Sequence, residues 1–501
     1  MSLLGIDVGT TACKVAAFAA DGCLLASASR EYPLRSCCSD HLEIDPNEVW
    51  TAVVDGVRRV NGLIDHTPVE AVAVSSQGEA VTPVGPDGGA LAPSPVTFDN
   101  RATAQAKRLE EQFGRTSLAR TTGQPPHPMF TIAKLMWWQE HDPDLVRRTW
   151  KFLCYGDFVG VRLGVEPAID HSMAARTMAF DIRTRRWSAP ILAAAGIDEE
   201  KLSTPVAAGT VIGRVGDRIA AEMGFRGQPV VVAGGHDQPC GAFGAGVAAD
   251  GEAMFAIGTT TCLAPIFREP RDELLDRGYP CYPHIVPGRY ITLAGNFTGG
   301  SLLRWYRDAF GEPERRAATE TGRDVYEILA EAAGDEPSSL LVLPHFAGSG
   351  APHNDPRSKG AFLGLTFATG RDQIIRSLLE GVMFEMAVNR DCLDEAGVSV
   401  AAAVATGGGA RSDRWLQIAA DILALPIRRS PQREAACWGA ARLAGIGAGI
   451  LPPSTFLSSP EAGISEASVF VPDMRRSEYY RRRLDTYRAV YAALKPINHR
   501  L

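Results

Sequence analysis

The sequence predicts an α/β protein built as two similar halves, each a mixed β-sheet flanked by helices, with a cleft between them. Three observations carry that expectation. A glycine–threonine loop occurs twice, about 250 residues apart. Short apolar runs alternate with helical stretches in both halves. Asp-Gly pairs stand beside the apolar runs, which signals hairpins rather than a first strand turning through glycines into a helix.

In the first half, apolar residues 3–6 lead to Asp7, then Gly9-Thr10-Thr11, then a second apolar run over 14–18 that closes at Asp21-Gly22. Residues 24–27, 69–74 and 230–233 read as further short strands. Residues 103–112 and 132–140 read as helices, with apolar or small residues at three- and four-residue steps. Pro125-Pro126-His127-Pro128 separates them and cannot lie inside a helix. The region from about 120 to 210 reads as an insertion on the core.

The second half restarts with Asp250-Gly251, apolar 253–257, Gly258-Thr259-Thr260 and apolar 263–267. Helices are expected over 301–310, 371–395 and 411–424, and strands over 340–344 and 401–406. In the tail, Tyr480, Leu484, Tyr487, Tyr491 and Leu494 fall at steps of four, three, four and three. That is one apolar helix face with arginines opposite, packed on its own domain. The repeat divides the chain into domains at 1–247 and 248–501.

With 501 residues, 45 % of them hydrophobic and 22 % charged, each half can bury its own core. A net charge of -7 gives no general attraction to nucleic acid or to an anionic membrane. No apolar run reaches the roughly 18–20 residues of a membrane span. The N-terminus lacks a basic region and its apolar residues belong to the first strand, so no signal peptide is expected. The ten cysteines include no Cys-x-x-Cys pair, and Cys37-Cys38 are adjacent, as expected for reduced thiols in a cytoplasmic protein.

Gly-Thr-Thr between strands offers backbone N–H and hydroxyl donors to an anion. Two such loops facing each other would grip a nucleotide's phosphates from both sides. Only the first copy has a carboxylate before the loop, because Ala256 stands where Asp7 would be. That asymmetry suits one metal ion on one side of one site. The pattern predicts phosphoryl transfer.

The order of motifs is more specific. Gly5-Ile6-Asp7-Val8-Gly9-Thr10-Thr11 with Lys14 comes first, then Gly234-Gly235-His236-Asp237-Gln238, then Gly258-Thr259-Thr260. Leu379-Glu380-Gly381-Val382 and Gly407-Gly408-Gly409-Ala410-Arg411-Ser412 follow. This order resembles the FGGY family of carbohydrate kinases, which includes xylulose and glycerol kinases, over nearly the whole chain. The resemblance implies two ribonuclease-H-like (actin-type) domains with mixed β-sheets flanked by helices, closing on ATP and a sugar or polyol.

Within that frame Asp237 is the catalytic residue. A carboxylate in reach of a sugar hydroxyl can accept its proton as the oxygen attacks phosphorus; the plainer alternative is a helix N-cap. Asp7 is expected to hold Mg²⁺, directly or through water. Thr10 and Thr11 are expected at the phosphates, with Gly258, Thr259 and Thr260 meeting them across the cleft. Lys14 either adds charge near the β/γ phosphates or points outward from an edge strand. The resemblance carries the adenine pocket over to Gly408, Gly409 and Ala410, with Gly300 lining the same nucleotide site. Glu434-Ala435 with Gly439-Ala440-Ala441 reads as helix packing beneath it.

Substrate recognition is expected from Gln77, Glu79, Asn100, Arg101, Asp237 and Gln238, whose side chains can bind adjacent hydroxyls. Glycerol kinases carry Gln-Arg-Glu where this chain has Gln77-Gly78-Glu79, and the missing arginine leaves room for a longer molecule. Xylulose kinases carry Gln-Met-His-Gly there, which this chain lacks, whereas Asp237-Gln238 is the glycerol-kinase-like pair. The expected reaction is ATP- and Mg²⁺-dependent phosphorylation of a small sugar, ketose or polyol of roughly three to six carbons. The rival substrates are other hydroxylated metabolites such as sugar acids; the rival class is an actin-like ATPase with no sugar kinase activity. No nucleic-acid or membrane partner is expected, and the family resemblance leaves a homodimer open.

Overall fold

The computed structural model describes residues 1–38, 40–64, 67–457 and 468–501. Strands β1 (Ser2–Val8), β2 (Ala12–Phe18) and β3 (Leu24–Glu31) form an antiparallel meander. Helix α1 (Pro46–Leu63) follows, with the Asp45 side chain accepting from the Asn47 N–H at its start. β4 (Val69–Ser76) then returns parallel to β1. α2 (Thr103–Phe113) comes next, and the insertion supplies α3 (Thr131–His141) and the short α4 (His171–Ala175). β5 (Val211–Arg214) and β6 (Val230–His236) complete a sheet of order β5-β6-β4-β1-β2-β3. From β6 the chain runs straight into α5 (Asp237–Gly244).

The second half repeats the plan. β7 (Glu252–Ile257) and β8 (Thr261–Phe267) form the hairpin, followed by β9 (Tyr282–Pro283), β10 (Tyr290–Ile291) and β11 (Ala294–Asn296). After α6 (Gly300–Phe310) and α7 (Arg371–Glu395) come β12 (Ala402–Thr406), α8 (Asp413–Leu423) and β13 (Ile427–Arg429). α9 (Ala435–Gly447), β14 (Val469–Phe470) and α10 (Met474–Asn498) end the chain. The sheet order is β9-β10-β8-β7-β12-β13-β14, with β11 also on β8. In both sheets a hairpin is joined by two parallel strands and an antiparallel edge strand. The two-domain α/β architecture read from the repeat is the one observed.

Two local expectations need correction. The strand expected over 230–233 runs on through Gly234 and Gly235 to His236. The two glycines form a bulge within β6, and a Cβ on Gly234 would lie 1.9 Å from the Val74 carbonyl oxygen. The helix expected from residue 411 starts at Asp413, because Gly408–Arg411 is a 3₁₀ turn and Ser412 caps the helix, accepting from the Trp415 N–H at 3.2 Å. The side chain of Cys37 lies outside the described residues; the described cysteines are free thiols.

The first sheet is covered on both faces, which explains its unbroken apolar strands. Leu4, Ile6 and Val8 of β1 pack with Val49, Val53 and Val57 of α1. Leu3 of β1, with Ala16, Phe18 and Ala73, packs against Cys437, Trp438 and Ala441 of α9. So α9 lies between β13 and β14 of the second sheet in sequence but sits on the first. Gly5 permits this contact, since a Cβ there would lie 1.8 Å from the Cys437 carbonyl oxygen.

Tyr480, Leu484, Tyr487 and Tyr491 of α10 are buried, as its periodicity predicts, and Val490 joins them. The helix docks through its hydroxyls onto α7 and its surroundings. Tyr480 donates to Glu380 at 2.6 Å, Tyr487 to Glu385, and Tyr491 to Asp355 at 3.0 Å. Glu385 also faces His345 Nε2 at 3.3 Å. Tyr487→Phe strips the buried Glu385 of a donor, and we expect it to cost about 1–3 kcal/mol. A lowered urea midpoint at unchanged slope would show this; an unchanged midpoint would mean that His345 alone satisfies the carboxylate.

Candidate active site

The C-terminal ends of three parallel strands meet at one point. Register places Asp7 of β1 opposite Ser75 of β4, and Ser75 opposite Gly235 of β6. Asp237 is therefore delivered beside Asp7 as the first residue of α5. The N-cap is His236 and no side chain caps the helix, so the Asp237 carboxylate is not spent as a cap. Its side chain is 30 % exposed. Burial pushes the Asp237 carboxyl up to about 8, with the Asp7 and Glu79 charges adding to the rise. Asp7 is pushed up to about 6 by the same cause, opposed by a 2.8 Å hydrogen bond from Ser75 Oγ and by the Lys14 charge.

His236 is held well below its usual range by burial and the nearby Arg176, so its imidazole is neutral. Its Nδ1 lies 3.0 Å from the Tyr282 hydroxyl and its Nε2 3.1 Å from Asp237 Oδ1. The insertion positions this corner: Asp170 holds the start of α4, and the His236 N–H donates to Ser172 Oγ at 3.0 Å.

The first Gly-Thr-Thr loop is braced from below. Thr10 Oγ1 donates to Gln77 Oε1 at 3.0 Å, and Gln77 Nε2 donates to the Gly9 carbonyl at 3.2 Å. Gln77 is thus consumed by the loop rather than presented to substrate, which corrects the expectation for it. Thr11 remains exposed. The second loop is latched to α6: Gly300 N–H donates to the Gly258 carbonyl at 2.7 Å and Ser301 N–H to that of Thr259 at 3.2 Å. Thr259 and Thr260 are exposed, with Arg304 of α6 3.5 Å from Thr259 Oγ1. Next to this loop, Ala256 pairs with Thr406, so the glycine run starts beside it. Gly407 has φ 84° and a Cβ there would lie 2.7 Å from the Ile257 carbonyl oxygen. Gly408 faces open space, Gly409 packs on Ile257, and Ala410 is buried.

Other expected residues are occupied elsewhere. Lys14 reaches Glu434 at the start of α9, at 3.0 Å, near Asp7 but with its charge paired. Arg101 is 3 % exposed and locked onto Asp99 at 2.7 Å and Glu43 at 2.6 Å, against Trp137. It is a brace for its loop, and Asn100 beside it is exposed, donating to the Phe98 carbonyl at 3.3 Å. Glu79, at φ 63°, is buried in an ion pair with Arg176 and accepts from Thr97 at 2.7 Å.

Arg176 is the functional-site residue that sequence reasoning missed. It donates to Glu79 and, at 2.9 Å, to Gln124 Oε1, and it lies over Phe130 and Tyr282. Nothing in the chain announces this contact, which spans 97 residues. The one available hint is Gly78. A Cβ there would lie 3.0 Å from His236 Nε2 and 3.3 Å from Arg176 Cγ. The space expected for a longer substrate is therefore filled by His236 and Arg176.

Among the described residues, no three His, Cys, Asp or Glu side chains gather into a metal cage. A lone carboxylate, Asp7, at the entry to a phosphate loop fits Mg²⁺, which takes few carboxylates and otherwise keeps phosphate and water oxygens. No helix among the described residues is long and apolar enough to cross a membrane.

Two like domains, each with a Gly-Thr-Thr hairpin, and carboxylates at the strand ends of the first fit a phosphotransferase. Comparison with known proteins gives the family. The N-terminal domain of the FGGY family of carbohydrate kinases matches residues 2–244 and its C-terminal domain residues 253–448. The chain belongs to that family. It is 27 % identical to a xylulose kinase of Bacillus subtilis, covering 99 % of this chain and 98 % of that one. It is 29 % identical to a gluconokinase of the same organism, covering 87 % and 86 %. The crystal structure of a xylulose kinase from Rhodospirillum rubrum superposes with a TM-score of 0.85 at 25 % identity, over 100 % of both chains.

Proposed function

We propose that this carbohydrate kinase transfers the terminal phosphoryl group of ATP, with Mg²⁺, to a hydroxyl of a small sugar, ketose or polyol. The observation that carries the reading is Asp237: an uncapped carboxylate at the start of α5, at the strand ends that also present Asp7. The acceptor hydroxyl donates to Asp237, which takes the proton as the oxygen attacks phosphorus and the bond to the ADP oxygen breaks. His236, neutral and paired with Tyr282, fixes the carboxylate's surroundings without competing for that proton. Thr10, Thr11, Thr259 and Thr260, with the loop N–H groups, bind the phosphates, and Arg304 adds charge beside Thr259. Mg²⁺ held at Asp7 would neutralise phosphate charge. Gly408 leaves a flat, open backbone for the adenine, with Gly409, Ala410 and Gly300 behind it. Gln238 joins Asp237 at the acceptor. Lys14 and Glu79 act through their partners.

We place the enzyme in the cytoplasm, which its free thiols support; a homodimer rests on the family resemblance alone. The test is ADP release, coupled to a dehydrogenase, across ketoses, aldoses, polyols and sugar acids. Release that depends on one acceptor supports the reading. Slow release that no acceptor accelerates would replace it with that of an actin-like ATPase.

A further inference from the structure

The relatives include both xylulose kinases and gluconokinases at nearly the same identity, so identity does not choose between a neutral acceptor and an acidic one. The hydrogen bonds around Asp237 do choose. A carboxylate only accepts hydrogen bonds, so a sugar acid needs an uncommitted cation or a cluster of free donors. A polyol or ketose brings O–H donors of its own and needs acceptors.

Among the described residues, the arginines and the lysine beside the substrate loops are already committed. Arg176 gives Nε and Nη2 to Glu79 and Nη1 to Gln124. Arg101 is closed off by Asp99 and Glu43. Lys134, fully buried, donates to the Val96 carbonyl at 2.8 Å and the Glu79 carbonyl at 3.1 Å, and lies 3.5 Å from that of Pro95. His127, whose Nδ1 accepts from the Met129 N–H, is pulled down by burial, as is His236. The polar atoms left without a partner are of another kind. Gln238 Oε1 is an acceptor, Asp237 Oδ1 has the neutral His236 Nε2 beside it at 3.1 Å, and Gln124 Nε2 is a neutral amide donor on a fully buried residue. A carboxylate placed here would meet Glu79 and Asp237 with no free positive charge to offset them.

Resting on the kinase reading above, we infer that the acceptor site takes a neutral polyhydroxylated molecule, a polyol or ketose, and turns away the aldonate of the same carbon skeleton. Glu79 is the specificity-determining residue. It acts by holding Arg176, since a guanidinium released from its carboxylate is the natural partner of an acid.

The experiment measures coupled ADP release, with MgATP, on matched sets of 2-ketose, alditol and aldonate, each set sharing one stereochemical series. The preferred neutral compound is expected to exceed its aldonate in kcat/KM by at least about 100-fold. An aldonate used as well as or better than its neutral counterpart overturns the inference and leaves the kinase reading intact. No acceptor-dependent release from any set overturns both. Glu79→Gln, checked for folding by circular dichroism, is expected to raise the aldonate-to-neutral ratio of kcat/KM about tenfold or more. A folded variant with an unchanged ratio removes Glu79 from the explanation, and the wild-type panel decides the rest even if that variant does not fold.

Discussion

Asp237→Asn is expected to lower kcat by about 10²–10⁴-fold while leaving the KM for ATP within a few-fold of wild type. The substitution keeps the shape of the side chain and removes only its ability to take the acceptor's proton. Two further signs separate this from a structural role. First, the wild-type kcat/KM falls as pH drops, because the working form is the carboxylate and burial has pushed Asp237 up to about 8 and Asp7 up to about 6. In the variant the higher of the two limbs disappears. Second, an acid whose folded-state pKa stands above its usual value binds its proton more tightly when folded. Its contribution to stability is therefore lost as pH rises toward about 8. Above that pH the variant should match or exceed the wild type in thermal midpoint. A variant that is both inactive and markedly destabilised there would make Asp237 a structural residue. The combination of lost turnover with kept or gained stability is what a strained functional carboxylate produces.

The fold was legible because it is written in periodicity and repetition. The two Gly-Thr-Thr hairpins, the apolar strands and the step pattern of Tyr480, Leu484, Tyr487 and Tyr491 are local signals, and each element formed where its residues called for it. Asp7 and Asp237 were legible for a related reason, since each stands at a strand end next to glycines. The pairing of the charges around Glu79 was not. Glu79 and Arg176 meet across 97 residues of chain, and Arg101 finds Glu43 across 58. Sequence shows that Glu79 and Arg101 are charged but not which charges are already paired. Gln77 misled for the same reason: a side chain suited to sugar hydroxyls is equally suited to the Gly9 carbonyl and the Thr10 hydroxyl. The position of α9 was hidden as well, because Gly439-Ala440-Ala441 states only that something must come close.

How close decides the second large effect, at Gly244. There α5, which carries Asp237 and Gln238 in its first turn, crosses α9. A Cβ on Gly244 would lie 1.8 Å from the Ala435 carbonyl oxygen and 2.7 Å from the Gly439 nitrogen, and one on Gly439 would lie 2.0 Å from the Cys240 carbonyl oxygen. The obstructing atoms are backbone on both sides, so no rotamer change relieves the clash and the helices must separate. Gly244→Ala is expected to cost at least about 3 kcal/mol, read from the denaturant midpoint, although alanine is the better helix former by up to about 1 kcal/mol. Gly62→Ala in α1 is the control: nothing lies within 4 Å of its Cβ position, so only the propensity gain remains. A Gly244→Ala protein with a wild-type midpoint would show that the crossing is looser than its geometry. Where the variant survives, separation of α5 from α9 tilts the first turn that presents Asp237, and turnover should fall along with stability. The glycines at this crossing thus hold in place the carboxylate proposed as the base.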